Sequence, residues 1–273
     1  MTPLHQTSQG GHLDLTRFLI EHGANATAQD HDGLTPLHLA SQWGHLDLAR
    51  FLVEHGANAA AQDQGGSAPL HRVSEVRYED RTRYFFEHCA NAPAWGKPGS
   101  NPLRWMSSKL RLNLARFLVE HGANAPAQDQ HGSTPLHQAS QWGFFDLARF
   151  LVEHGANAAA QDQGGSTPLH LASQGGDLDL ARFLIEQGAN VAAQDRGGST
   201  PLHQASEVGH LGLVRFLVEQ GANTAAQDQC WLTPLHLASQ HGCTGILMAC
   251  VLQYVPNENY IENGAVGEKD RPI

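Results

Sequence analysis

The fold is decided by the stretch from Thr35 to Ser67, which reads TPLHLASQWGHLDLARFLVEHGANAAAQDQGGS. Nearly the same letters return from Thr134 to Ser166, with changes at three positions only. The proline at the second place recurs at one constant interval, at Pro3, Pro36, Pro69, Pro102, Pro135, Pro168, Pro201 and Pro234. A fixed period of this kind predicts a stack of similar units, each of which buries its apolar surface against its neighbours.

Each unit carries the signals of two short helices and a turn. Thr35 suits the N-cap of a first helix, and Pro36 suits its first position, where the missing N–H costs no hydrogen bond. Gly44 predicts the end of this helix, and Gly56 predicts the end of a second helix that begins near His45. The Asp- and Gly-rich residues at the end of the unit predict a tight turn.

The second helix has an apolar surface that is too wide for a single contact face. This surface is made of Leu46, Leu48, Ala49, Phe51, Leu52 and Val53. Such a helix needs a neighbour on each side, which a stack of units provides. The full pattern, Thr-Pro-Leu-His-x-Ala followed by Gly-His-x-x-Leu and Gly-Ala-Asn, resembles the ankyrin repeat, whose period of about 33 residues matches the spacing of the prolines.

The resemblance covers residues 1–255 in about eight units, with starts near residues 2, 35, 68, 101, 134, 167, 200 and 233. It implies an all-α solenoid in which each repeat contributes a β-turn or hairpin and two antiparallel helices. It also implies a non-enzymatic scaffold that binds a protein partner through its concave inner helices and its turn tips. We expect degenerate units around residues 75–110 and 243–255, and a polar, disordered tail at residues 256–273.

Composition argues against several other classes of protein. The net charge of −10 disfavours nucleic acid as a partner, and no apolar run approaches the ~20 residues that cross a bilayer. Cys89, Cys230, Cys243 and Cys250 form no Cys-x-x-Cys pair, so we expect a reduced, intracellular protein of the cytoplasm or nucleus. We also expect a monomeric array or a part of a larger multidomain protein, because the first motif lacks a capping unit.

The 18 histidines first suggest metal binding. Most of them recur in register, however, and stacked helices lie ~8–10 Å apart, whereas zinc ligands all lie ~2 Å from one ion. We therefore expect no metal site, no cofactor and no catalytic residue. The resemblance implies that the histidine after each Pro-Leu bonds the backbone and the threonine hydroxyl of its own unit.

Positions that differ between otherwise matching units are the candidates for partner binding. Exposed tryptophans would be strong anchors, because aromatic residues dominate binding hot spots. The alternative is drift at tolerant surface positions, and both interpretations stay open. The candidate residues are Trp43, Trp142, Lys109, Trp105, Val76, Val208, His241, His31, Asp32 and Arg196.

One segment, residues 72–116, departs from the pattern with nine basic and four acidic residues and several aromatic ones. Such a segment could bind an acidic peptide, a phosphate-rich ligand or nucleic acid electrostatically. The cations proposed for this alternative function are Arg72, Arg77, Arg83, Lys97, Arg104, Lys109 and Arg111. An eroded repeat is the competing interpretation, because Glu79 and Arg81 stand where Leu46 and Leu48 stand in the neighbouring unit. Uncompensated buried charge is costly, so erosion predicts the weakest joint of the array near residues 75–100.

Overall fold

The computed structural model describes residues 1–75 and 102–242, with side chains in the second range from residue 109 onward. These ranges contain helices and turns and no strand. The helices are α1 (Pro3–Gly10), α2 (Leu13–Glu21), α3 (Pro36–Trp43), α4 (Leu46–Glu54), α5 (Pro69–Ser74), α6 (Pro102–Glu120), α7 (Pro135–Gln141), α8 (Phe145–Glu153), α9 (Pro168–Gly175), α10 (Leu178–Glu186), α11 (Pro201–Val208), α12 (Leu211–Glu219) and α13 (Pro234–Gln240).

The predicted caps set the helix boundaries. The Thr35 hydroxyl accepts a hydrogen bond from the His38 N–H at 3.4 Å, at the start of α3. Gly44 follows α3 with a left-handed backbone, φ 76°, which a residue with a side chain adopts at a cost. Pro36 occupies the first helical position as predicted. The capping threonine, the proline and the glycine of the unit therefore produce the two helices that the sequence predicts, α3 and α4.

The odd-numbered helices form an inner row and the even-numbered helices an outer row. Each inner helix packs against the next inner helix, and each outer helix against the next outer helix. One leucine of each inner helix from α3 to α11 is completely buried between the rows: Leu37, Leu70, Leu136, Leu169 and Leu202. The predicted all-α stack is confirmed.

The stack passes from α5 directly to α7, its next inner neighbour, although Pro69 and Pro135 are two proline intervals apart in the sequence. The outer helix at this level is the C-terminal part of α6, which packs between α4 and α8. One composite unit thus takes its inner helix from the repeat predicted at residue 68 and its outer helix from the repeat predicted at residue 101.

Helix α6 is continuous over 19 residues where the period predicts two short helices. Leu110 stands in the place of Gly44, so the signal that ends the first helix in other units is missing. A leucine favours the helical conformation over the left-handed one, and the helix runs on.

Arg111 closes the composite unit. Helix α5 ends at Ser74, and the next residue, Glu75, has an extended backbone in place of the glycine stop of the other units. The Arg111 guanidinium, in a residue only 8% exposed, donates hydrogen bonds to the carbonyl oxygens of Val73 at 2.6 Å and Glu75 at 2.8 Å. A cation at this end of a helix also interacts favourably with the helix dipole. The guanidinium lies over the Phe144 ring at 5.5 Å.

The described ranges hold seven inner helices, and the predicted count of about eight repeats is not confirmed. The predicted degenerate unit at residues 243–255, the tail at residues 256–273 and most of the segment 75–110 lie outside the described residues. No helix within residues 1–75 and 102–242 has both the length and the apolar character that a bilayer-crossing segment requires.

Candidate functional site

The inner helices divide into constant buried positions and variable accessible ones. In α3 the constant residues Leu37, His38, Ala40 and Ser41 are all 0% exposed. In α11, by contrast, the side chain of Gln204 is half-buried and Val208 is 50% exposed. The repeat fold explains why the first set is constant, because those side chains fill the space between neighbouring units.

The accessible inner positions form one row along the stack. The place two residues after each Pro-Leu pair is exposed or half-buried in every described unit except at Leu39, which is buried. The position before the glycine that ends the inner helix is also exposed at Val208 and His241. The members of the first set are Gln6, Arg72, Gln138, Leu171, Gln204 and Leu237.

Both candidate tryptophans are less accessible than the sequence suggests. Trp43 and Trp142 are half-buried, and Trp142 packs against the hydrophobic core of the stack. Packing of a large indole against neighbouring side chains is more favourable in free energy than exposure of the ring to water. Each indole remains partly accessible, so the two side chains are less exposed than expected but stay candidates for partner contact.

The turn tips form a second row beside the inner helices, held by backbone hydrogen bonds between consecutive turns. The Gln64 N–H donates to the Asp32 carbonyl at 3.0 Å, and the Arg196 N–H donates to the Gly164 carbonyl at 2.7 Å. Residues His31, Asp32 and Arg196 are exposed, as a binding role requires. His31 Nδ1 lies 3.2 Å from an Asp32 carboxylate oxygen.

Trp231, which the sequence analysis did not select, is the most exposed large hydrophobic residue of the described chain at 75%. It occupies the tip position that is glycine in the other described turns, and it keeps the left-handed backbone with φ 60°. At Gly198 a Cβ atom would lie 3.1 Å from the Asp228 Cα of the next turn, so a side chain there opposes stacking. The replacement of a turn glycine by tryptophan is the sequence signal that could have revealed this residue.

The recurring histidines form a hydrogen-bonded ladder rather than a metal site. His38 Nδ1 lies 2.8 Å from the Thr35 hydroxyl and accepts the Thr35 N–H at 3.1 Å. The predicted bonds within the unit are confirmed. His38 Nε2 also donates to the carbonyl of Ser67 at 3.0 Å, which ties the first helix of the unit to the turn that leads into the next unit.

Burial keeps the ladder neutral. Loss of solvation lowers the pKa of His38 below its ordinary value of 6.5, and the same cause lowers the pKa of His71, His137, His170 and His203. Because Nδ1 already accepts an N–H, a second proton on the ring would break this bond and charge the core. These histidines therefore have a structural role at neutral pH.

Two of the cations proposed for an electrostatic ligand site already have partners within the fold. Arg72 forms ion pairs with Asp63 and, at 3.0 Å, with Glu75. Arg111 is buried as the cap of α5. Lys109 is exposed on α6. Arg111 Nη1 is engaged by the carbonyls of Val73 and Glu75, which leaves this residue less available to a ligand than the sequence suggests.

Several candidate residues fall outside what the structure describes. Val76, Arg77, Arg83 and Lys97 lie between the described ranges, and the side chains of Arg104 and Trp105 are not described either. The remaining candidate residues lie in two rows, one along the accessible positions of the inner helices and one along the turn tips. In chemical terms this surface offers amide, imidazole, guanidinium and aromatic groups, which suit recognition of a polypeptide.

The comparisons with known proteins agree with this architecture. A family model described as ankyrin repeats (3 copies) matches residues 1–63, 70–162 and 156–228. Among solved structures, the human ASB11 ankyrin repeat domain is similar over 91% of this chain and 98% of its own, with a TM-score of 0.70 and 23% sequence identity. No match was found among curated proteins. The chain belongs to the ankyrin repeat family.

Proposed function

We propose that the protein is a non-enzymatic scaffold that binds a protein partner through its inner-helix row and its turn-tip row. One observation carries the proposal: on the inner helices the variable positions are accessible in every described unit except at Leu39, whereas the constant residues, such as Leu37, His38 and Ala40, are buried. Accessible positions can vary between duplicated units without loss of packing. Binding to a partner is a function that such variation can serve.

The surface itself supports a polypeptide as the partner. Val208 and Trp231 offer apolar anchors, and Arg196 offers a planar group that can pair with a carboxylate. The accessible glutamines add donors and acceptors without net charge. We place this activity inside the cell, in a reducing compartment, which is compatible with the exposed free thiol of Cys230.

The electrostatic alternative has less support. Arg72 and Arg111 hold the fold together, so their charges are partly neutralised or buried. A binder of phosphate-rich ligands needs cations that release counterions, and its affinity falls steeply with salt. The remaining exposed positive charge of the segment within the described side chains lies at Lys109 and Arg116.

The test is a capture experiment with the full chain as bait, followed by quantitative mass spectrometry. The variant Val208→Asp with Trp231→Gly should lose at least about 90% of a specifically retained protein, because an aromatic anchor is removed and a charge is placed at an apolar contact. The matched control is Glu186→Lys, which changes an exposed residue on outer helix α10. Equal retention by the bait, the double variant and the control would contradict the proposed surface.

A salt series on the captured complex separates the two functions. The scaffold proposal expects affinity to change only a few-fold between 50 and 200 mM salt. An electrostatic site with six or more phosphate contacts would lose about a thousandfold over that range. A loss of this size that becomes smaller in the Lys109→Glu variant would favour the alternative.

A further inference from the structure

We infer that the cleft between outer helices α4 and α6 binds an acidic segment of a partner protein that also carries an aliphatic side chain. The cleft belongs to the outer row of helices and not to the inner-helix and tip rows, so the inference goes beyond the proposed function. Its volume is about 350 Å³, near the lower end for ligand pockets, which suits a few side chains. The lining residues are Leu46, Arg50, Asn113, Arg116, Phe117 and Glu120.

The aromatic ring of this cleft is more accessible than its counterparts at the two neighbouring joints. Phe117 is half-buried, whereas Phe51 and Phe150 are 8% and 5% exposed. The guanidinium of Arg50 lies 5.8 Å from the centre of the Phe117 ring, while that of Arg17 lies 5.2 Å from the Phe51 ring. The joint between α4 and α6 therefore leaves part of an aromatic ring open to a ligand.

Leu110 extends this apolar surface, and it is present because α6 does not stop. It is 43% exposed and shares one face of α6 with Asn113 and Phe117, which are three and seven positions further along the helix. Its side chain lies beside Gly44, just before α4, because a Cβ atom at Gly44 would lie 3.2 Å from Leu110 Cδ2. The regular units described have a glycine in its place, so this exposed leucine is a feature of the composite unit.

Two cations of the cleft are available to an anionic ligand. Arg50 and Arg116 are exposed, and in the described part of the chain neither forms an ion pair. On the next outer helix, by contrast, Arg149 Nε lies 3.6 Å from a Glu153 carboxylate oxygen. Arg50 and Arg116 each lie over a phenylalanine ring, at 5.8 and 5.7 Å, which leaves the N–H groups at the edge of the guanidinium for a carboxylate.

Asn113 removes a carboxylate that most other outer helices have at this position. Four of the other five described outer helices carry aspartate there, namely Asp14, Asp47, Asp146 and Asp179. The lining therefore has two arginines and one carboxylate, that of Glu120, and is positive in a chain whose net charge is −10. The Asn113 amide also offers two N–H donors where an aspartate would repel an anion.

These features together define the occupant. Charge complementarity to the two arginines requires carboxylates. The open surface of Phe117 and Leu110 requires an aliphatic side chain beside them, since burial of apolar surface is favourable. A small inorganic anion would satisfy only the first requirement. The occupant is therefore an acidic polypeptide segment with an aliphatic anchor.

The probe is a fluorescein-labelled acidic peptide, Asp-Leu-Glu-Asp-Leu-Glu-Asp-Leu, and its binding to the full chain is measured by fluorescence anisotropy. We expect saturable binding with a Kd below about 1 mM, and NMR shifts at the Nε–H groups of Arg50 and Arg116. A peptide with Asn and Gln in place of the acidic residues, and one with Ser in place of the leucines, should each bind at least about tenfold more weakly.

The most specific variant is Asn113→Asp, because it introduces the residue that four other outer helices already carry. It should weaken binding of the acidic peptide at least about tenfold, since its carboxylate repels those of the peptide. Arg50→Gln should weaken binding by a similar factor. Arg182→Gln is the matched control, because Arg182 makes the same kind of contact with Phe216, at 4.7 Å, outside the cleft, and it should leave binding unchanged.

Absence of saturable binding, equal binding of the uncharged peptide, or unchanged binding by the Asn113→Asp chain would overturn the inference. Displacement of the peptide by inorganic phosphate at matched ionic strength would reveal a simple anion site and would overturn the assignment to a polypeptide. The chain with Val208→Asp and Trp231→Gly should bind the acidic peptide as the parent chain does. Failure of the cleft therefore leaves the inner-helix and tip surface untouched, and the capture experiment tests that surface separately.

Discussion

His71 Nε2 hydrogen-bonds the carbonyl oxygen of Ser133, 62 residues further along the chain, at 3.3 Å. The equivalent bond from His38 reaches Ser67, only 29 residues ahead. The difference between these two separations is one full period of the sequence. The stack therefore omits one repeat, and its ladder of histidines continues across the omission through a bond of 3.3 Å, compared with 3.0 Å at His38.

The omission predicts that one full period of the chain can be removed without loss of the stack. Deletion of residues 76–108 joins Glu75 to Lys109 and restores the standard register of a single repeat. With Leu110→Gly added to supply the missing helix stop, the free energy of unfolding should be at least that of the parent chain. Denaturant unfolding followed by circular dichroism checks this. Deletion of residues 35–67, a complete unit, is the control and should lower stability by several kcal/mol.

Arg111 is predicted to be a stability residue rather than a ligand-binding one. Arg111→Ala should lower the free energy of unfolding by about 2–3 kcal/mol, because the buried carbonyl of Val73 and the part-buried carbonyl of Glu75 lose a charged donor. Arg111→Lys should restore part of the loss, since it keeps the charge but not the fork of donors. Arg116→Ala, an exposed position on the same helix, should cost less than about 1 kcal/mol. Similar losses in the two alanine variants would count against the capping role.

Ala68 marks a missing cap that can be restored. It precedes α5 where the other described inner helices have threonine, and His71 Nδ1 accepts only the Ala68 N–H at 3.1 Å. Ala68→Thr should raise the free energy of unfolding by about 0.5–2 kcal/mol by adding a hydroxyl cap. Thr134→Ala, the reverse change at α7, should lower it by a similar amount. A destabilising Ala68→Thr would show that this joint differs from its neighbours.

The buried histidines predict acid-sensitive stability. Burial lowers the pKa of His137, and of the equivalent His38, His71, His170 and His203, below 6.5, so the unfolded chain binds more protons in acid. The contribution of these neutral histidines to the free energy of unfolding is complete above pH 6.5. It is lost as the pH falls from that value toward the pKa of the histidines in the folded state. Each extra proton removes about 1.4 kcal/mol per pH unit.

The check on this prediction is a set of denaturant midpoints at pH 7.5, 6.0 and 5.0. The midpoint should fall below pH 6.5, and His137→Asn should make the fall shallower. His131→Ala at an exposed turn tip is the matched control and should leave the pH dependence as it is. A midpoint that stays constant down to pH 5.0 would refute the neutral ladder.

The sequence predicts most of the local structure because the signals are local. Thr35, Pro36 and Gly44 define a helix by their own hydrogen bonding and backbone preferences, and the same letters do so in each regular unit. The omitted repeat is not predictable from the period, because the spacing of prolines continues through Pro102 without interruption. Leu110 in place of the glycine stop is the one local sign that two predicted helices would merge.

The candidate site was predicted less well than the fold. Exposure of Trp43 and Trp142 was overestimated because a side chain at a variable position can still lie against its neighbours. Arg111 was assigned to a ligand because the sequence shows its charge and not the helix end that it caps. Trp231 is hard to predict as a binding residue because the equivalent position is a turn glycine in the other described repeats, where it has a backbone role.

The most direct test of the omitted repeat is a distance between turn tips measured by electron–electron double resonance. Spin labels at residues 64 and 163 span two steps of the stack in this structure, as do labels at residues 130 and 196. With every native cysteine replaced by serine, the two pairs should give equal distances of about 20 Å, since repeats are spaced by about 10 Å. A distance for the first pair that is about 10 Å longer than for the second, one repeat spacing, would show that the repeat predicted at residue 101 is inserted in the stack, and would contradict the account.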